Sequence, residues 1–404
     1  MTSQPAKRPL RGTRVLDLSR VLAGPYAGLM LADLGAEVIK VENPKHGDDS
    51  RTFSLPSHEG HAVYFLTVNR NKKSVALDLK APDGKAAFLK LVANADVVIE
   101  NYRTGVMERL GLDYETLKAH RPGIIVCSIS GYGRDGPNPE VPGYDPVAQA
   151  ESGLMAMTGD PNGEPTRIGI SLVDMVTGLY AANAITAALH NRETSGEGRF
   201  IELSLFETGL NMLVNFGAQY LLTGTEPTRV GNTNQVAQPA GVFEAADGPI
   251  MLTIGNDAQY ARLCDELGEP SLAADPRFLT NEDRVANTAI IREIFGAFFK
   301  QRPRNEWIDR FRKAGVPCGV VATVAEALDS DLTKALGTIK PVTHTEIGTY
   351  PAVMTPARLH QTEPVDLSGA PLLGEHTVDI LHDVAGLNAD EIAALVAAGS
   401  AKVP

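Results

Sequence analysis

Arg14-Val-Leu-Asp-Leu-Ser-Arg-Val-Leu-Ala-Gly-Pro-Tyr-Ala-Gly-Leu-Met-Leu-Ala-Asp-Leu-Gly-Ala-Glu-Val-Ile-Lys-Val-Glu42 reads as strand, turn, helix and strand in a single pass. A short apolar run over Arg14–Ser19 precedes a helical period over Pro25–Leu34, and Glu37–Glu42 is again strand-like. Pro25 suits a first helical turn, which needs no N–H from it, and Gly35 suits a helix stop. Two strands joined through a helix are expected to lie parallel in one sheet, with the helix across its face.

The alternation continues outward through strand Lys73–Leu79, helix Asp83–Ala93, strand Asp96–Glu100, two short helices and strand Gly123–Ser130. Beyond a Pro- and Gly-rich loop at Gly131–Gly143, helical patterns cover Pro146–Met157 and Met175 to about Leu189. Strand Arg199–Leu205 and a helix to about Leu222 follow, and then a polar, turn-rich break at Thr223–Gln238. A smaller mixed unit comes next, with strand Ile250–Ile254 and helices Ala258–Leu267, Asn287–Lys300 and Arg304–Lys313. The tail from Gly337 has little periodicity before Gly374–His382 and Ala389–Ala398. The expected fold is α/β: a large Rossmann-like parallel-sheet domain that opens with residues 1–222, and a smaller α+β domain with linkers, 223–336. The chain then returns, 337–404, to pack on the large domain.

With 404 residues, 43% hydrophobic and 21% charged, the chain has the composition of a globular protein and enough length for two cores. A formal net charge of −12 repels nucleic acid and anionic membranes at long range, so no nucleic-acid or membrane partner is expected. An anionic ligand needs a local cationic pocket. Cys127, Cys264 and Cys318 are far apart, without metal or disulfide spacing, which fits a reducing cytoplasm. Residues 1–9 lack the apolar core of a signal peptide, and no run of about 18 apolar residues occurs.

Gly131-Tyr-Gly133-Arg-Asp-Gly136 spells half of a dinucleotide-binding fingerprint after a strand. The helix that must open there is forbidden by Pro137, Pro139 and Pro142, so a turn-rich loop is expected instead. A second singular feature is Asp174, one acid in Ile168-Gly-Ile-Ser-Leu-Val-Asp-Met-Val-Thr-Gly-Leu-Tyr180. One reading makes it the cap of a helix starting at Met175, worth about 1 kcal/mol. The other makes it a carboxylate nucleophile, ionised at neutral pH from a reference pKa of about 3.9 and favoured further by a helix N-terminus.

Several segments in order resemble the family III CoA transferases, the group of formyl-CoA:oxalate and carnitine-type enzymes. They are Val15–Pro25, Leu34–Glu42, Asn69–Ser74, Val98–Tyr102, Gly131–Gly133, Pro142–Asp145, Leu172–Gly178 and Pro371–Thr377. The resemblance implies that Asp174 attacks an acyl-CoA to give an aspartyl–acyl anhydride, and that CoA thiolate then gives an aspartyl–CoA thioester. CoA and acyl-CoA enter as substrates, with no tightly bound cofactor and no metal. CoA contacts are implied at Val21, Leu22, Leu77, Asp78, Leu79, Lys80, Asn101, Tyr102, Arg103 and Arg109. An interlocked homodimer is implied as well. Arg20 and Asn43 depart from the formyl-CoA transferase pattern, which has histidine and arginine there.

Racemases of 2-methylacyl-CoA share the scaffold and use a histidine where this chain has Tyr144, in Gly143-Tyr-Asp145. Tyrosine, with a reference pKa near 10, shuttles an α-proton poorly at neutral pH, so transfer is favoured over racemisation. A non-catalytic CoA binder is the third class. Tyr144 is expected to shape the acyl site or to pack as an aromatic. Arg134, Arg167 and Asn232–Gln235 are candidate donors to a second carboxylate, which suits succinyl-CoA and a small dicarboxylic acid. The Gly231–Gly241 stretch lacks the consecutive glycines of the formyl-CoA transferase lid, which disfavours oxalate and formyl-CoA. Glu375 and His376 have no assigned chemistry, and a structural role is favoured.

Overall fold

The computed structural model describes residues 6–53 and 55–404, so the first five positions of the leader reading lie outside the described residues. Six parallel strands carry the larger unit. Arg14–Asp17 (β1) leads to helix Ala23–Asp33 (α1) and strand Glu37–Glu42 (β2), then to helix Val63–Val68 (α2) and strand Lys72–Leu77 (β3). Helix Pro82–Ala93 (α3), strand Val97–Glu100 (β4), helix Val106–Leu110 (α4) and strand Ile125–Ser130 (β5) follow. Helices Asp145–Glu151 (α5) and Leu172–Ser195 (α6) precede strand Arg199–Ser204 (β6). The sheet order is β3-β2-β1-β4-β5-β6, and Ala401–Lys402 adds an antiparallel edge beside β3. Val15 stands opposite Val38 on one side and Val97 on the other.

The central strands are covered on both faces, which is why β1, β2, β4 and β5 place buried apolar residues on either side of the sheet. Val15, Val38, Val97 and Ile125 point to one face, where α1 and α6 supply Ala27, Leu31, Ala181 and Ile185. Leu16, Ile39, Val98 and Val126 point to the other, against Phe88 and Leu91 of α3 and Ile380, Leu381, Ile392 and Leu395 of the C-terminal helices. The 24-residue α6 is long and apolar enough to cross a membrane by length and composition, yet its face from Val173 to Leu189 belongs to this core. Gly178 permits its closest approach: a Cβ there would lie 2.7 Å from the Ala23 carbonyl oxygen of α1.

The second compact unit comprises Met155–Arg167 and Gln219–Leu336, so a segment read from sequence as belonging to 1–222 groups with it. Its three-stranded antiparallel sheet, Ala240–Ala245, Gly248–Thr253 and Cys318–Val320, backs an aromatic core of Phe243, Phe295, Phe299, Trp307 and Phe311. Within the first unit, Gly337–Pro404 contributes a hairpin, Ile339–His344 with Gly348–Val353, that shows no strand signal in the sequence. Pro341 faces Pro351 there, and proline breaks the donor pattern by which a strand is recognised.

Charged side chains also cross the sheet interior. Lys72 at the start of β3 is fully buried and bonds Asp17 (2.9 Å), Asn69 (2.9 Å) and the Pro25 carbonyl (2.8 Å). Burial pushes the Lys72 ammonium down to about 8, against the pull of Asp17. Removing one partner of such a pair strands the other charge. Lys72→Met is therefore expected to destabilise the protein by about 3–5 kcal/mol, read as a lowered thermal midpoint, whereas Lys73→Met, on the exposed side of the same strand, changes it little.

Candidate active site

The helix carrying Asp174 begins at Leu172, with Ser171 as its N-cap residue, so Asp174 sits in the first turn and is not the cap expected from sequence. The capping oxygen comes from elsewhere. Asp145 Oδ2, at the start of α5, accepts from the Val173 N–H at 2.7 Å and the Asp174 N–H at 3.2 Å. The positive end of α6 is thereby spent on Asp145. Burial first, and then the negative charge of Asp145, push the Asp174 carboxyl up to about 7, so the expectation of an ordinary ionised carboxylate is corrected. Tyr64 of α2 stands at the same place. Burial and the Asp174 charge raise its phenol to about 12, despite a hydrogen bond with Ser171, and keep it a proton donor.

Opposite Asp174, the turn between β1 and α1 is held from beneath. Lys40 of β2, fully buried, bonds the Ser19 carbonyl (2.8 Å) and pairs with Asp48 (2.8 Å). Burial opposes its charge, but Asp48, Asp17 and Glu42 outweigh it and raise Lys40 to about 12. The other Asp48 oxygen accepts from the Ser50 N–H and hydroxyl and from the Val21 N–H at 3.1 Å. Val21 has φ +68°, a conformation that costs a β-branched residue about 1–3 kcal/mol and persists only where the surroundings impose it. Asn101 spends both polar groups on the residue before Val21, accepting from the Arg20 N–H and donating to the Arg20 carbonyl, each at 2.8 Å.

Around this turn lie two cavities. One, of about 180 Å³, is lined by Val21, Leu22, Asn101, Tyr102, Arg103, Tyr144 and Asp174, with Arg20, Asp49 and Gly131. The other, of about 410 Å³, is lined by Leu77, Asp78, Leu79, Lys80, Tyr102 and Arg103, with Arg20, Asn43 and His46. Arg20, Tyr102 and Arg103 belong to both, so the two meet along one line. Arg109 lies exposed on α4 and lines neither cavity. Arg20 pairs with Asp49 at 3.0 Å near the surface, lies 5.7 Å from the Tyr102 ring centre, and has a buried Nε without a partner.

Gly131 and Gly143 cross backbone to backbone beside Asp174. A Cβ on Gly143 would lie 2.2 Å from the Gly131 Cα, so neither position admits a side chain without displacing the loop that carries Tyr144. Tyr144 is 63% exposed and faces the cavity; it is not a packed aromatic. No helix opens after Gly131, in line with the reading of that motif as a loop. Arg134 is not available to a second carboxylate: it pairs with Glu100 (2.7 Å) and donates to Ser128 and the Tyr102 carbonyl. Arg167 and Asn232–Gln235 lie in the second unit. His376 accepts from the Ser74 N–H at 3.3 Å and the Gly374 N–H donates to the Ser74 hydroxyl at 2.9 Å, contacts that tie the C-terminal segment to β3, while Glu375 accepts from the nearby Leu372 N–H at 2.7 Å. Tyr64, Asp145, Lys40 and Asp48 carried no site assignment in the sequence reading.

The family model described as CoA-transferase family III matches residues 10–377. The chain belongs to CoA-transferase family III. Relatives of this CoA transferase include a succinate–glutarate CoA-transferase of Agrobacterium fabrum, 40% identical over 95% of this chain and 98% of the relative. An acetyl-CoA:oxalate CoA-transferase of Acetobacter aceti is 40% identical, covering 91% and 94%. The human succinyl-CoA:glutarate CoA-transferase is 38% identical, covering 97% and 90%. Among solved structures, a CAIB/BAIF family protein from Brucella suis superposes with a TM-score of 0.84 at 39% identity, over 94% of this chain and all of that one. The protein is thus an enzyme that moves CoA between an acyl-CoA and an acid.

The raised Asp174 carboxyl has a consequence for this CoA transferase that needs no substrate. Its folded value lies above the unfolded one, so the native state binds the extra proton between about pH 4 and pH 7, and stability falls as pH rises through that window. At about 1.4 kcal/mol per pKa unit the penalty reaches up to about 4 kcal/mol above pH 7. Asp174→Asn is expected to melt higher than the parent at pH 8, and the gap is expected to close towards pH 4.

Proposed function

We propose that the protein transfers CoA from an acyl-CoA donor, succinyl-CoA by chemistry and by the names of its relatives, to a small dicarboxylic acid, with Asp174 as the nucleophile. One observation carries this reading: Asp174 lines the smaller of two cavities that join at Arg20, Tyr102 and Arg103. That shape suits a long thioester with its nucleotide end towards Leu77–Lys80 and its reacting carbonyl at the carboxylate. An exposed pair such as Arg20–Asp49 contributes only about 0–1 kcal/mol, so its guanidinium, with the unpartnered Nε, is free to turn to a phosphate.

In the first step the Asp174 oxygen bonds the acyl carbon, the C–S bond breaks, and the electron pair leaves as CoA thiolate. The thiolate then attacks the Asp174 carbonyl carbon, and the donor acid leaves as a carboxylate. The acceptor acid runs both steps in reverse. Tyr64 and Tyr144 flank the reacting group, and Tyr64, with its phenol proton held, suits donation to the oxyanion of either tetrahedral state. Names among the relatives divide over glutarate, oxalate, D-citramalate and mesaconate, and a donor-by-acceptor screen selects among them.

We also propose a homodimer and a cytoplasmic setting. Ile170, Leu179, Tyr180, Leu210 and Val214 of the first unit are large apolar residues between 43% and 73% exposed, the kind of surface that a partner covers. The three cysteines are unpaired, which suits a reducing compartment.

Incubation with succinyl-CoA followed by hydroxylamine is expected to leave a modified Asp174, located by peptide mass. Asp174→Asn is expected to lose transfer by at least about 10³-fold while retaining its fold. An adduct on another residue, or near-parental activity in the variant, would refute the nucleophile assignment. Sedimentation is expected to give a species of twice the 43.1 kDa chain mass; a stable folded monomer would refute the dimer.

A further inference from the structure

Asp145 is 2% exposed and fully engaged as an acceptor. Beyond its two bonds to the first turn of α6, its Oδ1 accepts from Gln149 Nε2 at 2.6 Å. Gln149, itself fully buried, accepts from the Ile168 N–H at 2.8 Å and donates to the Ile170 carbonyl at 3.3 Å. Two side chains of one short helix thus tie down the stretch that delivers Asp174. Three N–H donors bond the Asp145 carboxyl, which suits oxygens that act only as acceptors.

A helix N-terminus ordinarily favours an anion in its first turn. Here that favour goes to Asp145, and Asp174 is left beside a second carboxylate in a buried place. The other groups near Asp174 do not offset it in the same way: Tyr64 on α2 and Tyr144 just before α5 are phenols, Arg20 is paired with Asp49, and Arg103 is an exposed residue of the cavity wall. Tyr26 of α1, which packs at Gly178, is likewise a phenol.

We propose that Asp145 is a positioning residue that occupies the positive end of α6 and holds a fixed anion beside Asp174, so that conversion of Asp174 to a neutral acyl or thioester group relieves a buried repulsion. This rests on the reading of Asp174 as the nucleophile. When Asp174 is acylated its negative charge departs with the thiolate, and in the second step with the released acid. The charge therefore leaves the neighbourhood of Asp145 in the same sense as on protonation. The repulsion that makes Asp174 more basic also makes it a better nucleophile and favours its covalent forms over the free carboxylate.

The test compares the parent with Asp145→Asn, which keeps one capping oxygen and removes the charge, and with Asp145→Glu, which restores it. In the parent, kcat/KM for transfer from succinyl-CoA should fall below an apparent pKa near 7. Asp145→Asn should move that midpoint down by about one unit or more and lower the trapped aspartyl–CoA fraction about tenfold. Asp145→Glu should return both towards the parent. A purely structural cap would lower the rate and leave the midpoint in place, and that result would overturn the proposal. If Asp145→Asn does not fold, Asp145→Ser, whose hydroxyl also caps, takes its place; failure of both to fold would assign Asp145 to folding alone and overturn it equally. Activity retained by Asp174→Asn would instead sink the underlying nucleophile reading, whatever Asp145 does.

Discussion

The pair Lys40–Asp48, closed to solvent beneath the turn from Ser19 to Ala23, is the interaction on which the shape of the site depends. A buried ion pair is weak as a source of stability, since desolvation consumes most of the Coulombic gain. What it supplies here is geometry. Lys40 holds the Ser19 carbonyl and Asp48, while Asp48 holds Val21 in a backbone conformation that valine avoids. Without that hold the turn would relax, and Arg20, which belongs to both cavities, would move with it. The Asn101 clip on the Arg20 backbone fixes the same turn from the end of β4, so contacts from the strands on both sides of β1 converge on one turn.

Most of the large unit was legible from the order of strands and helices, because a sheet buried on both faces must write itself in apolar residues, and Val97–Ile99 does so outright while Val15–Leu18 and Val38–Val41 do so apart from Asp17 and Lys40. Asp174 was legible for the opposite reason, as a charge where apolar residues stand. Its surroundings were not. Asp145 lies 29 residues from it and meets it only because α5 and α6 start at the same point in space. Tyr64 sits in a six-residue helix whose composition resembles any core segment. Lys40 and Lys72 look in sequence like the solvent-facing positions of strands, and only the tertiary pairing with Asp48 and Asp17 turns them inward. Arg134, chosen for its charge, was already committed to Glu100.

Conformation and charge at Asp174 also have to be weighed together. The sequence suggested that a helix N-terminus would lower its pKa, a contribution of about 0.3–1 kcal/mol at most exposed sites. Burial beside another carboxylate acts in the other direction and is the larger effect, as the shift to about 7 indicates. The same contrast separates this site from a merely capped helix. A capping aspartate is satisfied by the backbone and has nothing left to react with, whereas here Asp145 meets the backbone and Asp174 borders the cavity.

Under the proposed chemistry the intermediate is an anhydride made from a thioester, which is uphill in water. Two sources can offset that cost: binding energy from the remote end of the substrate, and destabilisation of the free carboxylate. The cavity along Leu77–Lys80 bears on the first, since a ligand held there tethers its far end beside Asp174 and removes translational freedom from the attack. Asp145 bears on the second. The two are independent in structure, one on the β1–β2–β3 side of the turn and the other at the start of α5. A short acyl donor lacking the nucleotide would keep the second and lose the first. The cavity extending away from Asp174 therefore has a physical reason to be larger than the small acids exchanged beside it require.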